Sequence, residues 1–331
     1  MRTLRGWVGC YTTQSGGDPD GGIGRLVWAE DGGSVTLAAR TGDPSYLALH
    51  PTGRFLYAVN ELAQGTISGY AVRGDSLSPL GSQPTHGGHP CHLSVDASGR
   101  YVVSANYSSG SLAVHPVGED GALGEATAVV QHRGRGPDPA RQQGPHAHMA
   151  AFDPGGRHLF AVDLGIDAVL SYRLAGGALT ETGRLDLPPG TGPRHLAFHP
   201  SGHAAYLVGE LDSTLTTCRH DDGVLTAVST VSTRPDGGRG PNLPAAVVVA
   251  ADGKRVHVTN RGDDTVATFD LAGGGLLARL SATVASGGAG PRDLARTAEG
   301  TLLAANERTG NLTLLGHGSL SCPAPTCVLL E

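Results

Sequence analysis

A phrase that returns six times constrains this 331-residue chain more than any other feature: a short apolar strand, a turn ending in glycine, a second apolar strand, then a polar turn usually opened by Asn. The copies read YLALHPTGRFLYAVNE, HLSVDASGRYVVSANY, MAAFDPGGRHLFAVDL, HLAFHPSGHAAYLVGE, VVVAADGKRVHVTNR and LARTAEGTLLAANE. Their turn glycines, Gly53, Gly99, Gly156, Gly202, Gly253 and Gly300, are spaced 46, 57, 46, 51 and 47 residues apart. Four short strands with their turns occupy roughly 40 to 50 residues, so the period suits a four-stranded unit and excludes a helical solenoid. A third strand follows each polar turn (TISGYAV, SLAVHPV, AVLSYRL, TLTTCRH, TVATFDL, NLTLLGH), and the more variable residues beyond it supply an outermost one. A seventh unit is split between the ends of the chain. GWVGCYT and GGIGRLVWAE look like a second and third strand without a first, and PTCVLLE is the missing strand. The expected fold is all-β: a seven-bladed β-propeller spanning residues 1–331 as one domain, closed by N- and C-terminal strands that share a blade and leave no open sheet edge.

Composition agrees, since 51 glycines and 21 prolines beside few Met, Phe and Trp suit many short strands and tight turns. No run of about 20 apolar residues is present, so no membrane association is expected. The opening MRTLRGWVGCYT lacks an apolar stretch long enough for a secretory signal, and the protein is expected in the cytoplasm. A formal charge of −6 without any Lys/Arg run argues against a nucleic-acid partner. The five cysteines are scattered, with only Cys322 and Cys327 close in sequence, and imply neither a disulfide framework nor a zinc site. A closed ring predicts a monomer or a weak homo-oligomer.

Hairpin logic locates a functional face. In each unit the first strand runs toward the glycine turn and the second returns, so the start of one and the end of the other share a face. Eight positions before the turn glycines stand Ser45, Cys91, His148, Arg194, Ala245 and Arg292. One step on come Tyr46, His92, Met149, His195, Ala246 and Asp293. The residues closing the second strands are Glu61, Tyr107, Leu164, Glu210, Arg261 and Glu307. Single polar residues at strand ends are ordinarily solvated, but a ring forces this set toward one axis. Histidines 50, 199, 203, 220 and 257 fall in turns or outer strands and are expected to be ordinary.

The phrases PSYLALHPTGRFLYAVNE, RQQGPHAH, GPRHLAFHP, GELDST and TNRGDDTV resemble the lactonase seven-bladed propellers, which include 6-phosphogluconolactonases and the fungal carboxymuconate-lactonizing enzymes. The resemblance covers essentially the whole chain. It implies catalytic roles for His148, Arg194, Glu210 and Arg261, the same four residues that strand counting brings together, and further substrate-binding positions at His92, His146 and Arg141. Glu61, His195 and Arg292 join these from the strand count. Two departures stand out: Ala246 and Val248 replace a Glu and a His usual in the inner strand of blade six, and Gly209 replaces an Asn.

Opening or closing a lactone needs a proton-transfer group, stabilisation of carboxylate or enolate charge, and a pocket that fixes the ring. Arg194 and Arg261, with Arg292 as a third clamp, are suited to a carboxylate or phosphate, and His148 or Glu210 is the candidate acid/base. The expected activity is therefore that of a lactonase on an anionic, phosphorylated or carboxylated sugar-acid-type lactone, a 6-phosphogluconolactonase-like hydrolase. The alternatives are a metal-free muconate-type cycloisomerase, a diverged enzyme of a specialised pathway, or a non-catalytic binding scaffold. A calcium-dependent reading would enlist Glu61, Glu210 and Glu307 with Asn60, Asn106, Asn260 and Asn306 as oxygen ligands. The intruding arginines disfavour it, and neither metal nor cofactor is expected. The scaffold lacks WD dipeptides, and at 5% aromatic residues the chain has few anchors for a protein partner.

Overall fold

A computed structural model of the chain describes residues 3–14, 17–30, 32–235, 238 and 240–331. Within them lie seven four-stranded antiparallel sheets arranged as the blades of a propeller. Blade one has Pro325–Leu330 innermost, then Leu4–Cys10, Gly22–Ala29 and Gly32–Arg40, with Trp7 opposite Leu329 and Val8 opposite Val328. The expected closure through both chain ends is therefore present. Blades two to seven follow in chain order, each built from inside outward; blade four, for instance, runs Ala147–Phe152, Leu159–Asp163, Ala168–Ala175 and Ala178–Asp186. Among the described residues no helix is long and apolar enough to cross a membrane.

The turn glycines do what their spacing implies. All six have φ between 65° and 93°, a region that residues with a Cβ seldom occupy, and this lets the inner hairpin reverse tightly. The core lies between blades: Val103, Ala105 and Leu112 of blade three pack on Ala147, Ala150 and Leu159 of blade four, and Leu303 and Leu312 of blade seven on Val8 and Leu26 of blade one. Second strands such as Phe55–Asn60 and Ala204–Gly209 are buried on both faces, which explains their unbroken apolar reading.

The asparagines that end these strands are structural. Asn60 donates to the carbonyl of Gly42, Asn106 to that of Thr85, Asn260 to that of Thr233 and Asn306 to that of Ser286, each tying the loop between blades to the strand. All four side chains are buried, and Asn60 and Asn260 also accept through Oδ1, the first from Thr66 and Ser68 and the second from Asn242. At the corresponding position in blade five, a Cβ on Gly209 would lie 2.3 Å from Asp212 Oδ1 and 2.5 Å from Thr214 Oγ1. The neighbouring side chains thus fill the space that an Asn takes elsewhere.

Candidate active site

The innermost strands of blades three to seven each carry a register shift at the start, between Pro90 and His92, Ala147 and Met149, Pro193 and Leu196, Pro244 and Val247, and Pro291 and Asp293. Such bulges re-aim side chains out of the strict two-residue alternation of a strand. In blade three Cys91 faces a cavity at the channel mouth, while His92, the next residue, enters the layer beneath it. The rings of His92 (blade three) and Tyr46 (blade two) meet the ring of His195 (blade five) at 5.6 and 6.1 Å, and those of Tyr46 and His92 meet at 4.0 Å. Blade five adjoins neither of the other two, so these contacts cross the axis and form a floor.

Above the floor is a cavity of about 220 Å³ lined by Tyr11, Gln14, Glu61, Cys91, Tyr107, Arg141, His148, Glu210, Arg261 and Arg292. Six of the ten residues expected at the site are on this wall: His148, Glu210, Arg261, Arg292, Arg141 and Glu61. The other four lie one layer back. His92 and His195 belong to the floor because the bulge sets consecutive residues at different depths. His146 stacks on Tyr107 with ring centroids 4.6 Å apart, and its Nδ1 lies 2.9 Å from the Tyr107 carbonyl oxygen, so it supports that wall residue. Arg194, 2% exposed, lies behind Glu210 with Nε 3.1 Å from Oε2, out of line for a hydrogen bond.

Two ion clusters organise the cavity. Glu210 accepts from Arg141 Nη2 at 2.6 Å through Oε1 and from Arg261 Nη2 at 2.5 Å through Oε2. Burial alone would raise the Glu210 pKa, but the guanidiniums of Arg261, Arg194 and Arg141 outweigh it and hold the carboxyl down at about 2. Opposite, Arg292 donates to the Tyr11 hydroxyl at 2.7 Å and to Glu307 Oε2 at 3.2 Å, and Tyr11 donates to Glu61 Oε2 at 2.9 Å. Burial would lower the Arg292 pKa, yet Tyr11, Glu61 and Glu307 keep it raised. Burial, reinforced by Arg194, Arg292 and Arg261, pushes the His148 imidazole well below its ordinary range, and His195 is lowered likewise. Burial and the charges of Arg261 and Arg292 also bring Arg194 down to about 10. Four guanidiniums thus face three carboxylates around neutral imidazoles.

Sequence reasoning missed Tyr11. It occupies in blade one the position that Glu61, Tyr107 and Glu210 occupy in theirs, directly after the second strand, so the same count carried into GWVGCYT reaches it. Arg141 comes from the long connection between blades three and four that makes the 57-residue spacing; Gln142, donating to the Leu164 carbonyl and to Asp167, pins that connection down. Ala246 and Val248 pack with Val266, Leu294 and Ala304 between blades six and seven, away from the cavity wall. On the opposite face Asp153, His158 and His220 lie close together, but His220 Nδ1 is 2.7 Å from the Gly202 carbonyl, its Nε2 accepts from Gly223 N, and Asp153 Oδ1 accepts from the Arg157 and His158 amides. The cluster is a turn-stabilising network. His257, expected in a turn or outer strand, is instead on a second strand, Arg255–Arg261.

A propeller whose channel opens into a cavity of buried arginines, carboxylates and a neutral imidazole has the makings of a small-molecule site. The family described as lactonase, 7-bladed β-propeller matches residues 5–321, and the chain belongs to this family. It is 38% identical over 310 residues to a 6-phosphogluconolactonase of Bacillus subtilis, covering 88% of each chain. Among solved structures it is similar to a Lactobacillus plantarum protein, with a TM-score of 0.91 and 31% identity over 99% of both chains. It is also similar to a periplasmic gluconolactonase of Pseudomonas aeruginosa, with a TM-score of 0.89 and 29% identity over 99% of both. The protein is a lactonase.

Proposed function

We propose that this lactonase hydrolyses an anionic sugar-acid-type lactone, phosphorylated or carboxylated, with His148 as the proton-transfer group. The observation that carries this reading is the cavity wall itself: three guanidiniums, Arg141, Arg261 and Arg292, converge on a space of about 220 Å³ beside one neutral imidazole. The name of the B. subtilis relative, 6-phosphogluconolactonase, supports it.

In this mechanism water bound beside His148 gives a proton to the imidazole and its oxygen attacks the lactone carbonyl carbon. Arg261 or Arg292 stabilises the tetrahedral oxyanion, as donors fixed in a low-dielectric site do. Collapse breaks the ring C–O bond, and the imidazolium returns the proton to the leaving oxygen. A hydroxy acid is released as its carboxylate. Glu210 was expected to share in proton transfer, but a carboxylate held by three arginines at about 2 is a poor proton donor near neutrality. Its part is to hold Arg141 and Arg261 in position.

Incubation with 6-phosphogluconolactone, a carboxylated muconolactone and uncharged gluconolactone tests the reading. The better anionic lactone should exceed the neutral one in kcat/KM by roughly tenfold or more, as one charged hydrogen bond supplies, and Arg261→Ala should erase most of that margin. Equal turnover of neutral and anionic lactones would overturn the substrate class.

The pH profile follows from His148. Its folded pKa is depressed and its neutral form is the reactive one, so activity is lost only as pH falls through the depressed value. After subtraction of spontaneous hydrolysis, kcat/KM should be level from about pH 6 to 8. A half-loss near pH 6.5, the ordinary histidine value, would contradict the assignment.

A further inference from the structure

We infer that Cys10 and Cys322 form a modification site: a dithiol that a peroxide-class oxidant converts to a disulfide, clasping the ring where it closes. The two residues stand 312 apart in sequence, yet their Sγ atoms are 3.6 Å apart, in van der Waals contact. Cys10 ends the second strand of blade one, and Cys322 lies in the segment leading from blade seven into the innermost strand of blade one. The two stretches are already joined by the Tyr11 amide donating to the Ala324 carbonyl at 3.0 Å, and the antiparallel pairing between Leu4–Cys10 and Pro325–Leu330 shifts register between Gly9 and Cys10. An irregular backbone there can yield the small movement that bonding requires.

Access is through Cys10, 8% exposed, since Cys322 is fully buried. A cleft of about 160 Å³ lined by both cysteines reaches the surface at Asp18, Leu37, Ser321 and Pro323, all exposed. Cys327, the other thiol of the closing strand, sits in a separate core cluster with Trp7 and Leu47, whereas Cys10 and Cys322 share theirs with Val8 and Leu26. Strand alternation therefore turns Cys327 to the opposite face of the blade. Cys91 donates to the His148 carbonyl and Cys218 packs with Phe160 and Leu207, so neither reaches the pair.

The step balances with the oxidant named. One thiolate attacks the peroxide to give a sulfenic acid and one water, and the second thiol condenses with it, releasing a second water as the S–S bond forms. The Cys322 bond, burial, and the neighbouring sulfurs hold the Cys10 thiol well above its ordinary range, so oxidation through it should quicken as pH rises.

Because the disulfide would enclose nearly the whole chain, its effect on the unfolded state is large. Treating the purified protein with a small molar excess of hydrogen peroxide should lower the count of titratable thiols from five to three. Non-reducing peptide mapping should recover a Cys10–Cys322 cross-link, and the thermal midpoint should rise by about 5 °C or more, reverting with dithiothreitol. Cys322→Ser, or Cys10→Ala should that variant fold poorly, should abolish both the cross-link and the rise. Five thiols persisting after treatment, or a cross-link involving Cys327, would overturn the inference.

Discussion

Replacing His148 by Asn should lower kcat on the anionic lactone by about 10²- to 10⁴-fold, the range of a positioned proton-transfer group, while leaving the thermal midpoint close to wild type. The imidazole lines the cavity and, among the described residues, its Nδ1 has no partner, so the variant gives up edge contacts with the rings of Tyr107 and His195 but no ion pair. Glu210→Gln provides the contrast. It leaves Arg141, Arg194 and Arg261 crowded without their common carboxylate, and breaking a buried ion cluster on one side destabilises by about 3 kcal/mol or more. Glu210→Gln should thus lose stability together with rate. Full turnover in His148→Asn would remove the residue from the mechanism, and a Glu210→Gln protein that melts like wild type would remove Glu210 from its organising role.

Deleting residues 325–331 should have the largest effect on folding. The innermost strand of blade one would vanish, and with it the burial of Cys327 and Val328 in two core clusters. The bond from Val328 N to Asp293 and the Arg25 pairing with Glu331 at 2.6 and 3.0 Å would also go. Each fully buried side chain of this size contributes about 1.5–3 kcal/mol, so the loss rivals the 5–15 kcal/mol stability of a typical domain. It also uncovers the edge of Leu4–Cys10 to pairing with other chains. The truncated protein should be recovered aggregated, or without a cooperative thermal transition. A soluble truncation with an unchanged midpoint would disprove that this strand closes the ring.

Much of this architecture is legible in the amino-acid sequence because a closed ring turns position within a repeat into position around an axis. Counting back from Gly156 and Gly202 reaches His148 and Arg194, and counting to the strand ends reaches Glu210 and Arg261, without any knowledge of distance. Depth is what the count cannot express. A bulge separates Cys91 on the wall from His92 in the floor, and no pattern of apolar and polar residues announces it. Arg194 satisfies the count yet stands behind Glu210, because only packing decides which of two facing charges is in front. The Cys10 and Cys322 pair escapes for a different reason: the expected closure brings the chain ends together, but Cys322 lies before the closing strand Pro325–Leu330, where no strand count fixes what it faces.

The floor formed by Tyr46, His92 and His195 has a consequence for traffic. Rings in mutual contact across the axis narrow the channel beneath the cavity, so the expected route for substrate is in and out by one mouth, as from a thimble and not a tunnel. A lactone must come in through the opening by which its acid departs, and the two cannot pass one another. In the proposed reaction each turnover would therefore end with a newly made carboxylate withdrawing past Arg141, the most exposed of the four guanidiniums, before the next ring is admitted.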